Sequence, residues 1–275
     1  MTNTQYLLAA VDAAVKAGKA VMEVYQSDFA VQAKEDKSPL TAADQNAHEI
    51  IKASLMDFNL PFISEEGRGT AYEVRKTWPM FWMVDPLDGT KEFVKRNGEF
   101  TVNIALIDGG RPVMGVVYAP VPQWLYMAAI DMGAYKLTGI DPDTFNRKGD
   151  RAEEEGLKSL IRQGSKLPII ASRKKYTIVG SRSHGTPELE AFVDAKRKAE
   201  GDVEFIAAGS SLKICLVAEG AADIYPRLGP TMEWDTAAGQ AVAECSGARV
   251  SVYEAGHPLT YNKEDLLNPW IVVER

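Results

Sequence analysis

The densest chemistry in the sequence is Asp85-Pro86-Leu87-Asp88-Gly89-Thr90, which follows directly on the apolar run Met80 to Val84. Two carboxylates at the end of a buried strand are costly unless something pairs with them. Pro86 fixes one backbone angle and Gly89 permits an unusual one, so the segment reads as a rigid turn. Such a turn can aim both carboxylates and the Leu87 carbonyl at one point. An all-oxygen donor set with no His or Cys beside it suits a hard cation, magnesium first. The plainer alternative is an Asp-rich turn that only caps the next element.

Three more acidic segments bear on that choice. Glu65-Glu66 ends a short apolar run. Thr41-Ala42-Ala43-Asp44 opens a helical pattern and reads, by itself, as a capping box. Trp234-Asp235-Thr236-Ala237-Ala238-Gly239 opens another, where Asp235 suits the first turn of a helix. In the C-terminal half, Gly180-Ser181-Arg182-Ser183-His184 follows a strand-like run and Gly209-Ser210-Ser211-Leu212-Lys213 opens a helix. Small residues at a helix start with a lysine in the first turn make an anion site. The blander reading takes Arg182 and Lys213 as surface charges and Ser210 as an N-cap. Tyr225-Pro226-Arg227 then leads toward Asp235. No Ser–His or Cys–His pairing lies near these segments, so a covalent enzyme intermediate is not favoured. His48, His184 and His257 are too scattered for a metal cluster.

Together and in this order, the four acidic segments resemble the inositol monophosphatase superfamily, the lithium-sensitive magnesium phosphatases, over nearly the whole chain. The resemblance implies an α/β protein with a layered α-β-α-β-α sugar-phosphatase fold. It also implies that Glu65, Asp85 and the Leu87 carbonyl hold a first Mg²⁺. Asp85, Asp88 and Asp235 would hold a second, Asp85 bridging, with Glu65 also reaching a weaker third ion. Thr90 and Asp44 would polarise the attacking water. Phosphate monoesters are among the slowest bonds to hydrolyse, and two metal ions can clamp the attacking and leaving oxygens.

The C-terminal segments are similar to the 3′(2′),5′-bisphosphate nucleotidase branch, of CysQ type. That branch cleaves adenosine 3′,5′-bisphosphate, a by-product of sulfate activation, to AMP and phosphate; the sulfated nucleotide is a further candidate. On this resemblance His184 and the segment Ser181 to Ser183 border the nucleotide, and Ser210, Ser211, Lys213 and Arg227 meet its 5′-phosphate. Glu65, Leu87, Asp88, Gly89, Thr90, Gly209 and Asp235 complete the substrate site. The rivals are an inositol or sugar phosphatase on the same metal core, and a non-catalytic sensor of nucleotide bisphosphates. The Ser-Arg-Ser-His and Gly-Ser-Ser-Leu-Lys segments count against the first, and the complete carboxylate set against the second.

The elements that must carry these segments are legible from apolar periodicity. Gln5 to Tyr25 and Thr41 to Phe58 read as amphipathic helices, and Phe29 to Lys34 and Pro61 to Ser64 as short strands. Met80 to Val84 reads as a buried strand that stops at Asp85. Thr101 to Ile107, Pro112 to Tyr118, Trp124 to Ala129 and Ala134 to Leu137 form an antiparallel meander, with Gly109-Gly110 as a hairpin turn. Gly139 to Lys166 is polar and reads as a surface excursion. Beyond it, strands and helices alternate: Thr177 to Gly180, Pro187 to Ala199, Val203 to Ala207, Ser210 to Glu219, Asp223 to Pro226 and Trp234 to Cys245. Two strands, Arg249 to Tyr253 and Trp270 to Val273, close the chain. The expected organisation is an N-terminal α+β subdomain, 1–174, with most metal ligands, and a C-terminal α/β subdomain, 175–275, with the nucleotide-binding segments and Asp235.

Bulk properties narrow the rest. The 275 residues, 45% hydrophobic, are enough for a substantial core. A net charge of −7 disfavours nucleic acid as a partner, although local metal ions can reverse the field for a small anion. Cys215 and Cys245 both sit in apolar stretches and read as buried thiols, consistent with a reducing compartment. The N-terminus has no basic n-region, and no stretch approaches bilayer-spanning length. The expectation is a cytoplasmic protein with a small-molecule substrate; peripheral contact with the inner membrane and oligomeric state are left open.

Overall fold

A computed structural model describes residues 3–27, 39–67, 69–145, 153–181 and 186–275. Helices α1 (Asn3–Gln26) and α2 (Pro39–Leu55) come first. Strand β1 (Phe62–Ser64), helix α3 (Tyr72–Arg75), strand β2 (Met80–Asp88) and the short helix α4 (Thr90–Val94) follow. Next are β3 (Thr101–Asp108), β4 (Arg111–Ala119), β5 (Trp124–Ala129), β6 (Gly133–Thr138), α5 (Glu153–Gln163) and β7 (Ser165–Lys166). The remainder is β8 (Tyr176–Ser181), α6 (Pro187–Glu200), β9 (Val203–Ala208), α7 (Leu212–Glu219), β10 (Ile224–Arg227), α8 (Glu233–Cys245), β11 (Arg249–Val252) and β12 (Ile271–Glu274).

The first seven strands form one sheet in sequence order, with β1 parallel to β2 and every later pair antiparallel. The last five form a second sheet in the order β11-β12-β10-β8-β9. There β8 runs parallel to β9 and β10, and β12 runs antiparallel to its neighbours. Helices α1 and α2 cover one face of the first sheet, α7 and α8 fill the space between the sheets, and α6 covers the outside of the second. The layer order is α-β-α-β-α.

The strand β2 reports both cores at once. Trp82 and Val84 enter the core beneath α1 and α2, while Phe81 and Met83 enter the one beneath α7 and α8. A strand buried on both faces reads as a continuous apolar run, as Met80 to Val84 does.

Several expectations are refined. The strand β2 does not stop at Val84. It continues through the motif, and its pairing with β3 slips between Asp85, opposite Asn103, and Asp88, opposite Thr101. The rigid turn is therefore a bulge within the ladder, a device that re-aims side chains. Helix α2 starts at Pro39, two residues before Thr41, so Thr41 is inside the first turn and not at a cap. Helix α7 starts at Leu212, so Ser210 is not its first residue. The polar stretch Gly139 to Lys166 is more than a surface excursion. Its described part contains α5 and β7, and Ile140 and Leu160 are buried in the first core. Of the two free cysteines, Cys215 is buried and Cys245 only partly so. The run Phe29 to Lys34 lies outside the described residues. No described helix is long and apolar enough to cross a membrane.

Candidate active site

One cavity of about 240 Å³ collects the ends of these elements. Glu65 follows β1; Asp85, Leu87 and Asp88 come from the bulge in β2; Gly89 and Thr90 lie at the start of α4. Ser210, Ser211 and Lys213 surround the start of α7, Arg227 ends β10 and Asp235 lies in the first turn of α8. All of these line the cavity.

Its acidic wall holds three carboxylates, Glu65, Asp85 and Asp235, with oxygens within 4.8 Å of one another. Asp85 is 1% exposed, and its Oδ1 accepts the Leu87 N–H at 3.0 Å, which locks the bulge. Asp235 Oδ2 accepts the Met232 N–H at 2.8 Å and so closes the first turn of α8. Asp88 stands outside this trio. Its Oδ2 takes the Ser211 N–H at 2.6 Å and the Ser211 hydroxyl at 2.8 Å, with Asn103 Nδ2 at 3.3 Å and Thr101 Oγ1 at 3.4 Å.

Burial pushes the Asp85 carboxyl well above its usual range, and Asp88, Asp235, Glu65 and Asp44 push it further. Burial, then Asp88, raises Asp235 to about 7. Glu65 is raised by burial and by Asp88 and Glu66. The strongest charged neighbours of Asp85 are thus carboxylates, an arrangement that a divalent cation relieves. The donors are all oxygen, so the residues fit magnesium.

Asp44 lies on α2, 5% exposed and outside the cavity lining. Burial, with the charges of Glu66 and Glu65, raises it to about 8. It shares a hydrogen bond with Glu66, and its Oδ1 has no partner. Among the described residues no hydrogen bond joins Asp44 to Thr90. One turn along α2, His48 Nδ1 lies 2.8 Å from Ser64 Oγ and ties the helix to the strand end that presents Glu65.

The opposite wall is cationic and hydroxylic. Lys213 is 6% exposed, which removes the reading of it as a surface charge. Burial lowers its pKa to about 8, and its Nζ donates to the Ser210 carbonyl at 2.7 Å. Ser210 has a φ of +46°, in the left-handed region, and its buried hydroxyl has no partner. Arg227 spends Nη2 on the Pro230 carbonyl at 2.8 Å, while its buried Nε has no partner. Ser211 is 2% exposed, and its hydroxyl is taken up by Asp88, the Asp235 carbonyl at 2.9 Å and Asn103 at 2.9 Å. It joins the two walls. Two glycines allow that approach. Gly89 has a φ of +93°, and a Cβ there would meet the Glu99 carbonyl and Ser210 Cβ at 3.2 Å; a Cβ on Gly209 would meet Glu92 Cγ at 2.6 Å. Ser183 and His184 lie outside the described residues, while the neighbouring Ser181 lines the cavity.

Sequence reading missed Thr101 and Asn103, which hold Asp88, and Tyr225, whose ring lies 5.6 Å from Lys213 Nζ and which lines the cavity. A signal for the first two existed. Thr101 and Asn103 are polar residues two apart at the head of β3, whose next four residues are all apolar, and that spacing puts them on one face.

The sequence profile of the inositol monophosphatase family matches residues 2–270. The 3′(2′),5′-bisphosphate nucleotidase CysQ of Shigella flexneri is 46% identical over 258 residues, covering 92% of this chain and 93% of the relative. CysQ of Escherichia coli K12 is 45% identical over the same shares. The crystal structure of CysQ from Bacteroides thetaiotaomicron, described as a bacterial member of the inositol monophosphatase family, superposes with a TM-score of 0.91 at 49% identity, covering 99% of this chain and 97% of that one. An inositol monophosphatase from Zymomonas mobilis, at 19% identity and a TM-score of 0.74, shares the fold. With layers, acidic motifs and whole-chain similarity in agreement, the chain belongs to the inositol monophosphatase family.

Proposed function

We propose that this protein hydrolyses the 3′-phosphate of adenosine 3′,5′-bisphosphate, releasing AMP and phosphate, with magnesium held by the acidic wall. The observation that carries this reading is the pairing of two unlike walls in one cavity. Carboxylates that repel one another face a buried lysine, an unpartnered hydroxyl and an unpartnered guanidinium nitrogen. A monophosphate on magnesium needs only the first wall, and a bisphosphate uses both. The names of the CysQ relatives point to the same substrate class.

Glu65, Asp85, Asp235 and the Leu87 carbonyl would hold the metal, with Asp88 completing a second position through Asp85. When bound, magnesium supplies Lewis acidity toward phosphate oxygens and water. The protein's own groups do the remainder. Thr90 on the cavity wall would orient the attacking water, and Asp44 on α2, in the field of Glu65 and Glu66, would take up the proton. The bond from phosphorus to the ribose oxygen breaks as the bond to the water oxygen forms; the ribose oxygen takes a proton from solvent, and Asp44 returns to solvent the one it took, so the protons balance over the cycle. Ser210, Lys213 and Arg227 hold the 5′-phosphate, so binding energy far from the scissile bond orients the reacting phosphate.

The test is phosphate release from adenosine 3′,5′-bisphosphate, 3′-AMP and inositol 1-phosphate, with and without Mg²⁺. The expected order of kcat/KM places the bisphosphate first, with activity lost on chelation and inhibited by lithium. A preference for inositol 1-phosphate would return the site to a sugar phosphatase.

A further inference from the structure

Glu233 opens α8 two residues before Asp235 and is 0% exposed. A fully buried carboxylate survives only with complete pairing. It accepts the Asn262 N–H at 2.6 Å, the Lys263 N–H at 3.0 Å and the Lys263 ammonium at 2.5 Å. The same ammonium reaches Asn268 Oδ1 and the Thr260 carbonyl, each at 3.2 Å. Asn268, 4% exposed, turns its Nδ2 to the Met232 carbonyl at 2.8 Å and to Thr236 Oγ1 at 3.0 Å. Residues 232, 233 and 236, on both sides of Asp235, are therefore bonded to one loop.

That loop is anchored in turn. Arg75, 4% exposed, donates to Asn262 Oδ1 at 2.8 Å and to the carbonyls of Lys263 and Glu264 at 2.6 Å, and its own carbonyl accepts Asn262 Nδ2 at 2.7 Å. Asn262 has a φ of +69°, in the left-handed region that asparagine adopts more readily than other side-chain-bearing residues. Arg75, Glu233 and Lys263 do not line the cavity. Replacing a buried ion pair by an apolar filling is often neutral or stabilising, so the network does not follow from stability alone. Asp235 must be kept close to Asp85 and Glu65 against their repulsion, and its Oδ2 rests on Met232, whose carbonyl rests on Asn268. Groups behind a metal ligand that fix its orientation typically change metal affinity 10–100-fold when removed.

We propose that the loop 260–268, anchored on Arg75, is a clamp that positions Asp235 for the metal, with Glu233 and Lys263 as its closing pair. The inference rests on the reading of Asp235 as a ligand. The experiment measures the Mg²⁺ dissociation constant by calorimetry, well below the melting temperature, in four proteins: wild type, Asp235→Asn, Lys263→Met and Lys136→Met. The last breaks another buried ion pair, Lys136–Glu219, 2.8 Å apart, which joins β6 to the end of α7 and not to the first turn of α8. Lys263→Met is expected to weaken Mg²⁺ by about tenfold, while Lys136→Met lowers the melting temperature and leaves Mg²⁺ binding within about twofold. Lys263→Arg, which keeps the cation, should recover most of the loss. Equal effects of Lys263→Met and Lys136→Met, or none from Lys263→Met, would overturn the clamp. If Asp235→Asn itself leaves Mg²⁺ binding unchanged, the ligand reading fails instead. Should Lys263→Met not fold, Asn268→Ala, which leaves Glu233 paired, carries the same expectation, and unchanged Mg²⁺ binding there would count against the clamp.

Discussion

The two walls of the cavity suffer the same physical insult in opposite senses. Burial raises Asp85, and raises Asp235 to about 7; it lowers Lys213 to about 8. Each wall is driven toward neutrality because neither has enough of its own partners. The acidic wall answers its deficit by mutual repulsion held in place by backbone N–H groups and Ser211, and the basic wall by an unusual backbone at Ser210. On the proposed reading the contrast is the site's demand for a cation on one side and an anion on the other. A phosphate bound to magnesium, joined to a second phosphate, brings both.

The comparison breaks most visibly at Asp85. Asp85→Asn removes the charge at the centre of the repelling cluster and the ligand shared by both proposed metal positions. Turnover should fall on the order of 10³-fold, several kcal/mol of electrostatic stabilisation being at stake. The metal-free variant should nevertheless melt at a higher temperature than metal-free wild type, since a neutral amide suits the buried position better than a repelled carboxylate. A variant less stable in chelator would show that Asp85 is held by the fold for reasons other than a cation.

On the opposite wall, Lys213→Ala removes one charge-assisted contact, typically about 1.5–3 kcal/mol. The KM for adenosine 3′,5′-bisphosphate should rise by roughly 10–100-fold at nearly constant kcat for a simple aryl phosphate. Equal losses on both substrates would place Lys213 in support of the metal side and end the distinction between the walls.

How much of this was legible beforehand follows from where the partners lie in the chain. Asp85 and Asp88 could be found because acids abutting an apolar run have no business there without a ligand; Asp235, which reads by itself as a first-turn acid, joined them only through the resemblance of the four segments to the family. The link from Asn103 to Ser211 to Asp88 could not, because it joins residues 108 and 123 positions apart, and no local pattern reports such a contact. For the same reason the burial of Lys213 was hidden, as it depends on Tyr225 and on the tight packing at Gly209. The extension of β2 through its motif was missed because Pro86 and Gly89 signal a turn, and a bulge satisfies those signals without ending the strand. In the polar stretch, charged residues outnumber the apolar ones that anchor α5, and Ile140, Leu157 and Leu160 were too sparse to overcome that composition.

A third test uses protons as stand-ins for metal on the acidic wall. Asp44, at about 8, and Asp235, at about 7, keep protons in the fold that the unfolded chain releases near pH 4. Folded values raised above unfolded ones give a stability that is present at low pH and lost as pH rises through the folded values. In chelator, the melting temperature should therefore fall between about pH 5 and pH 8. Magnesium replaces those protons, so the rise in melting temperature that it causes should grow over the same interval, reaching several degrees at saturating metal. A magnesium effect independent of pH would mean that the cluster does not exchange protons for the ion.

The smallest expected effect sharpens the basic wall alone. The fold lowers Lys213 from 10.5 to about 8, so above that pH the free enzyme increasingly presents a neutral amine to an incoming phosphate. The KM for the bisphosphate should then rise with pH, by at most a factor of ten per unit, and less where the bound anion holds the proton in place. Titration of the acidic wall also changes KM in this range, but it acts on any substrate whose phosphate meets the metal. Dividing the KM for adenosine 3′,5′-bisphosphate by that for an aryl phosphate cancels the shared part. In wild type this ratio should be flat below about pH 7.5 and climb several-fold by about pH 9. In Lys213→Met, which keeps the buried shape without the charge, the ratio should be high and flat throughout. A ratio that climbs equally in both proteins would assign the titration to another group. One that stays flat in wild type would mean that the second phosphate is held by Arg227 and Ser210, with Lys213 serving only to fix the backbone of Ser210.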